Sequence, residues 1–197
     1  MRIKKTIAAI LTSVMMLSLA GCAGGGYKKN ADILKSVAKD NGAVEAEYDD
    51  PMTPDMASSG FYMETSEESS IAQALNGFNT IISSDDVKNI TAYTRIADNV
   101  LALAMVCETE SADVAKAAVD AAGNAFGTNT TFTGTVSVDK EVTLSQEDGD
   151  NGLYYLFTSD EEAFIIYSVI GSGSDLETSK DMLEDFCDLT GFSNPAK

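Results

Sequence analysis

Leu153-Tyr154-Tyr155-Leu156-Phe157-Thr158 and Ala163-Phe164-Ile165-Ile166-Tyr167-Ser168-Val169-Ile170-Gly171 flank the polar tetrapeptide Ser159-Asp160-Glu161-Glu162. Both runs are rich in β-branched and aromatic residues, so they read as two strands joined by a tight acidic turn. A hairpin this apolar is not stable alone in water; it requires neighbouring strands and a covering layer.

The neighbours lie upstream. Residues 131–145 alternate, with Phe132, Val136, Val138, Val142 and Leu144 in one phase. They form one long strand or a hairpin turning near Asp139-Lys140, followed by a turn at Glu147–Gly152. Val100 to Cys107 is almost continuously apolar, the pattern of a strand covered on both faces or deep in a sheet. Ile90, Ala92 and Ile96 mark a preceding strand over 87–96.

Three helices are expected around these strands. Thr65-x-x-Glu68 has the form of a capping box before a stripe of Ile71, Leu75, Phe78 and Ile82, predicting a helix over 67–82. Ser111 caps a second helix with Val114, Ala118, Ala121, Ala125 and Phe126 on its buried face. Ser174-x-x-Glu177 opens a third, burying Leu176, Leu183, Phe186 and Cys187 before Gly191. This order predicts an α+β fold: an antiparallel sheet of about five strands with helices mainly on one face, as a single domain over 61–197. The closing strand, aromatic hairpin and C-terminal helix resemble folds of the Mog1/PsbP type, a likeness that implies an architecture and no activity.

The N-terminus carries a different message. Arg2, Lys4 and Lys5 precede an apolar run from Ile7 to Leu19 that is interrupted by Thr12, Ser13 and Ser18. That run is short for a membrane span and reads as the core of an export signal. Leu19-Ala20-Gly21-Cys22 resembles the lipobox of bacterial lipoproteins. The resemblance implies cleavage before Cys22, lipidation of its thiol, and anchoring on the extracytoplasmic side of the cell membrane. Residues 1–21 are then a signal peptide, and 22–60 a lipidated cysteine followed by a flexible acidic stalk. Within that stretch Asn30 and Gly42 bracket a short helix holding Ile33, Leu34 and Val37, whose competing fate is to dock on the domain.

Charge and missing residue types exclude several functions. Three of the 13 basic residues and none of the 31 acidic ones precede Cys22, so the remaining chain carries a net charge of −21. Such a chain is repelled by nucleic acid. It has no histidine, which removes Ser-His-Asp and Cys-His catalysis, and no tryptophan. Cys107 and Cys187 either form a disulfide or are two small buried hydrophobes. Tyr154, Tyr155, Phe164 and Tyr167 concentrate on the hairpin and are the candidate binding surface, against the plainer reading of sheet core. The acidic segments 147–152 and 160–162 invite a calcium reading, although 147–158 does not fit an EF-hand loop. No cofactor or metal centre is expected. The sequence thus points to a membrane-anchored, non-catalytic binding module for an envelope protein or wall component. The alternatives are a small hydrolase using carboxylates or a bound divalent metal, and a small-ligand or calcium-binding surface module.

Overall fold

The computed structural model describes residues 26–47, 50–97, 100–126, 133–138, 141–148 and 151–196. Their elements run α1 (Tyr27–Asp40), β1 (Val44–Glu45), α2 (Pro54–Ser59), β2 (Phe61–Thr65), α3 (Glu68–Ala74), β3 (Val87–Ala97) and β4 (Val100–Thr109). The second half contributes α4 (Ala112–Phe126), β5 (Thr133–Val138), β6 (Glu141–Asp148), β7 (Asn151–Asp160), β8 (Ala163–Ser172) and α5 (Ser174–Thr190). All eight strands join one sheet, in the order β1-β2-β3-β4-β8-β7-β6-β5.

The expectation of about five antiparallel strands is corrected in two ways. The sheet has eight strands among the described residues, and β1 pairs with β2 in parallel. A parallel pair cannot be joined by a hairpin, and here the chain crosses over through α2. The remaining pairings are antiparallel. β5 to β8 form a meander whose last strand pairs along β4, placing β4 inside the sheet.

The helices lie on both faces of the sheet rather than mainly on one. Strand alternation sends Ala102, Ala104 and Val106 of β4 to one side, against α1 and α5, where Leu34, Leu183 and Phe186 complete the core. Met105 and Cys107 go to the other side, against α3 and α4, with Ile71, Ala118, Val119 and Ala122. A middle strand with apolar neighbours above and below needs apolar residues at every covered position, which is why Ala102–Cys107 reads as an unbroken apolar run.

The stalk expectation for 22–60 is overturned from Gly26 onward. Helix α1 buries Ala31, Leu34, Val37 and Ala38 against the sheet, with Leu34 fully inaccessible. β1 and α2 follow as further parts of the domain. An amphipathic helix of 14 residues is marginal alone but is held once its stripe has a surface to cover.

Local details also differ. Glu67, not Thr65, is the N-cap of α3, and Thr65 Oγ1 instead accepts the Glu67 N–H at 3.2 Å. The helix stops at Ala74 and a 3-10 turn over Asn76–Phe78 completes the stripe. Gly173, not Ser174, is the N-cap of α5, and it caps the helix without a side-chain bond. Gly191 ends α5 in the left-handed conformation at φ 80°, as a C-terminal glycine should. The buried face of α4 is Ala115, Ala118, Val119 and Ala122, rotated by about one residue from the expected stripe; Ala125 is exposed.

Cys107 and Cys187 are not joined. They lie in the two separate cores, on opposite faces of the sheet, so β4 stands between them. Burial pushes the Cys107 thiol far above its ordinary value and makes it inert. Among the described residues no helix is long and apolar enough to cross a membrane.

If α1 is part of the domain, Leu34→Ala should cost about 2–5 kcal/mol of unfolding free energy in urea titrations. An unchanged midpoint would mean that α1 is a tether after all.

Candidate functional site

The two ends of the sheet are built differently. At one end the β7–β8 turn receives the N-terminus of α1. The Tyr27 backbone N–H donates to Glu162 Oε1 at 3.2 Å, placing a carboxylate at the positive end of the helix. Asn30 Nδ2 donates to Asp160 Oδ2 at 2.9 Å and to the Gly26 carbonyl at 2.8 Å. Gly26 sits at φ 70°, and a Cβ there would lie 2.6 Å from the Glu162 carboxylate, so this approach requires glycine.

A second set of bonds ties the same helix to the sheet. Tyr27 and Thr91 hydroxyls meet at 2.9 Å, Thr91 Oγ1 donates to Glu64 Oε1 at 3.2 Å, and Lys35 pairs with Glu64 at 2.6 Å. With Thr91 donating to Glu64, Tyr27 donates to Thr91. The acidic turn that suggested calcium thus has a structural employment in Asp160 and Glu162. Among the described residues no three His, Cys, Asp or Glu side chains gather as a metal site.

The opposite end is left open on the α3/α4 face. Along β4 that face passes from Met105, 2% exposed, through half-buried Leu103 to Leu101, 41% exposed. Along β8 it passes from buried Phe164 and Ile166 to Ile170, 42% exposed. Among the described residues the covering layer ends at Phe126, the last residue of α4, which stacks on Tyr155 and Phe157 at 5.5 Å, and the strands continue beyond it. Register aligns Leu101 with Ile170 and Ile170 with Leu153, giving an apolar shelf across three strands. Gln146, Asn151 and Ser172 rim a cavity of about 340 Å³ beside Leu153 and Ile170.

On the same face a second cavity of about 410 Å³ opens between α2 and strands β2–β4. Met52, Met56, Met63, Met105, Phe61 and Leu103 give it an apolar lining, and Glu47 and Asp50 also border it. Both volumes fall in the range of small-ligand or side-chain pockets.

The aromatic residues expected to form a binding surface do not do so. Tyr154 and Tyr167 point into the α1/α5 core; Tyr167 stacks on Phe186 at 5.2 Å, and Lys180 lies over the Tyr154 ring at 5.0 Å. Phe164 is fully buried on the other face and Tyr155 is half-buried beneath Phe126. They are the sheet core, as cross-strand aromatics ordinarily are. The open residues are instead Leu101 and Ile170, with half-buried Leu153 beside them, which the sequence pattern does not separate from the more buried positions further along the same strands. Among the described residues the carboxyl with a raised pKa is Asp185, pushed up by partial burial and then by Asp181, Asp188, Glu184 and Asp40. It lies on α5, outside both cavities. Cys22 lies outside the described residues.

No protein-family model matches the chain, and no curated protein matches it. Among solved structures, the extracellular domain of PknH from Mycobacterium tuberculosis is similar at a TM-score of 0.44 and 14% identity. The match covers 67% of this chain and 84% of that one.

The α1 dock carries a pH signature. Burial pushes the Tyr27 phenol up to about 12, and the hydrogen bond and charge of Glu45 push Tyr62 up to about 12 as well. Below pH 10 both are neutral in the folded and unfolded chains, and their contribution is complete. Between pH 10 and 12 the unfolded chain ionises first and binds fewer protons, so stability falls as pH rises. Urea midpoints measured from pH 9 to 11.5 should decline in the wild type and decline less steeply in Tyr27→Phe. Equal slopes would contradict this assignment.

Proposed function

We propose that the chain is an exported lipoprotein, anchored on the extracytoplasmic side of the membrane through Cys22. It acts as a non-catalytic binding module of the cell envelope. The partner, an envelope protein or wall component, sits on the shelf of Leu101, Ile170 and Leu153. The observation that carries this reading is the placement of the two ends of the sheet. The lipobox ends five residues before Tyr27, and extended chain from Cys22 to Tyr27 spans at most about 17–18 Å. Because α1 is pinned to the β7–β8 turn, a lipid on Cys22 holds that end close to the bilayer.

The shelf is at the far end of the same strands. Ile170 lies seven residues along β8 from Ala163, about 23 Å at the usual rise per residue. An apolar surface facing away from the bilayer is kept from lipid and left for a protein or polymer partner. The net charge of −21 past the signal favours a partner whose contacting face is neutral or basic.

The test uses the full-length protein in its bacterial host, with a photo-crosslinking residue at Ile170 or, as control, at exposed Glu177. The expected result is diacylglyceryl-modified Cys22 by mass spectrometry, membrane fractionation abolished by Cys22→Ala, and a discrete crosslinked species from Ile170 alone. Leu101→Ser should reduce that species at least about tenfold, while an exposed-site substitution of this kind changes stability by roughly 0.5 kcal/mol. An unmodified Cys22 overturns the anchor; equal crosslinking from Ile170 and Glu177 overturns the shelf.

A further inference from the structure

The chain has five methionines beyond Cys22, namely Met52, Met56, Met63, Met105 and Met182, and four of them line the single 410 Å³ cavity under α2. Elsewhere, among the described residues, the buried apolar core is filled by Leu, Ile, Val, Ala, Cys and aromatic residues. Methionine packs irregular gaps well, and it also places a soft thioether sulfur at each position it fills. The distribution is a concentration of thioether sulfur.

Register explains how the sulfurs are brought together. Met63 on β2 pairs with Ala92 on β3, and Ala92 pairs with Met105 on β4. Two strand spacings separate the methionines, about 9.6 Å between their Cα atoms, with Ala92 at the intervening register position, and both side chains border one cavity. Met56 comes from α2, which is capped by Thr53; the Thr53 N–H donates to Met56 Sδ at 3.4 Å, leaving that sulfur a second lone pair. Met56, Met63 and Met105 are 5%, 8% and 2% exposed, whereas Met52 is 53% exposed.

Thioethers are neutral, soft donors without a proton to lose. They select soft monovalent ions, and above all Cu(I), over Zn²⁺, Ca²⁺ or Mg²⁺, which favour imidazole, carboxylate or carbonyl ligands. The chain has no histidine to compete, and Cys107 and Cys187 are buried in separate cores. Glu47 and Asp50 border the cavity with negative charge, which offsets part of the cost of bringing a cation to an apolar wall. We propose that this groove is a Cu(I) site, with Met56, Met63 and Met105 as ligands and Met52 at the mouth.

The test is anaerobic titration of the full chain in detergent, carrying Cys22→Ala to remove the one cysteine outside the two cores. A chromophoric Cu(I) chelator serves as competitor. One equivalent of Cu(I) should be withdrawn from the chelator. Met63→Leu with Met105→Leu, which conserves core volume, should weaken binding at least roughly tenfold. Met182→Leu should leave it unchanged. In the same protein with methyl-labelled methionine, one equivalent of Ag(I) should shift the Met56, Met63 and Met105 resonances and leave Met182 in place. The proposal fails if Cu(I) stays with the chelator, if the double variant binds as tightly as its parent, or if Ag(I) shifts exposed Met52 alone.

Discussion

Strand β4 has to be covered above, below and on both edges, and most of the architecture follows from that requirement. From Ala102 to Cys107 its residues alternate between two cores, Ala102, Ala104 and Val106 on one side and Met105 and Cys107 on the other. A strand covered on both faces over most of its length needs helices on both sides of the sheet, and α1 with α5, and α3 with α4, supply them, leaving only the Leu101 end open. It also needs both hydrogen-bonding edges filled. β3 fills one as a hairpin partner, and β8 fills the other after the chain has crossed through α4 and returned through the β5–β8 meander. Local pairings dominate within each half, and the β4–β8 seam joins the halves.

Much of this was legible in the sequence. The unbroken apolar run of β4 stated that both faces are covered, and it should have outweighed the expectation of helices mainly on one face. The hairpin of β7 and β8 is visible because its apolar, aromatic runs end at an acidic turn. The role of α1 was less visible. Its stripe includes Ala31 and Ala38, which bury little surface, and the segment is followed by acidic, proline-containing chain that resembles a stalk. Its partners, Asp160 and Glu162, lie about 130 residues away, and a one-dimensional pattern cannot show that pairing.

The candidate site was hidden for a related reason. Leu101 and Ile170 obey the same alternation as Met105 and Ile166, and their exposure depends on where α4 ends over the sheet. Tyr154, Tyr155, Phe164 and Tyr167 attracted notice because aromatic residues are frequent at interfaces, yet mid-strand positions on a doubly covered sheet are the best places to bury large rings. The methionine groove is the converse case. Met52, Met56, Met63 and Met105 are scattered in sequence, and only the β2–β3–β4 register and the placement of α2 assemble them.

The central claim is that docking of α1 fixes which end of the domain meets the membrane. The most direct measurement is energy transfer on lipidated protein reconstituted into vesicles whose headgroups carry an acceptor. Single donor labels are placed through Glu161→Cys at the α1 end or Ser172→Cys at the shelf end, since Cys107 and Cys187 are buried. The account predicts that the label at 161 lies close to the bilayer surface and the label at 172 farther away by up to about 30 Å, the length of β8. Equal transfer from both positions would contradict it, because a domain swinging on a long tether has no preferred end.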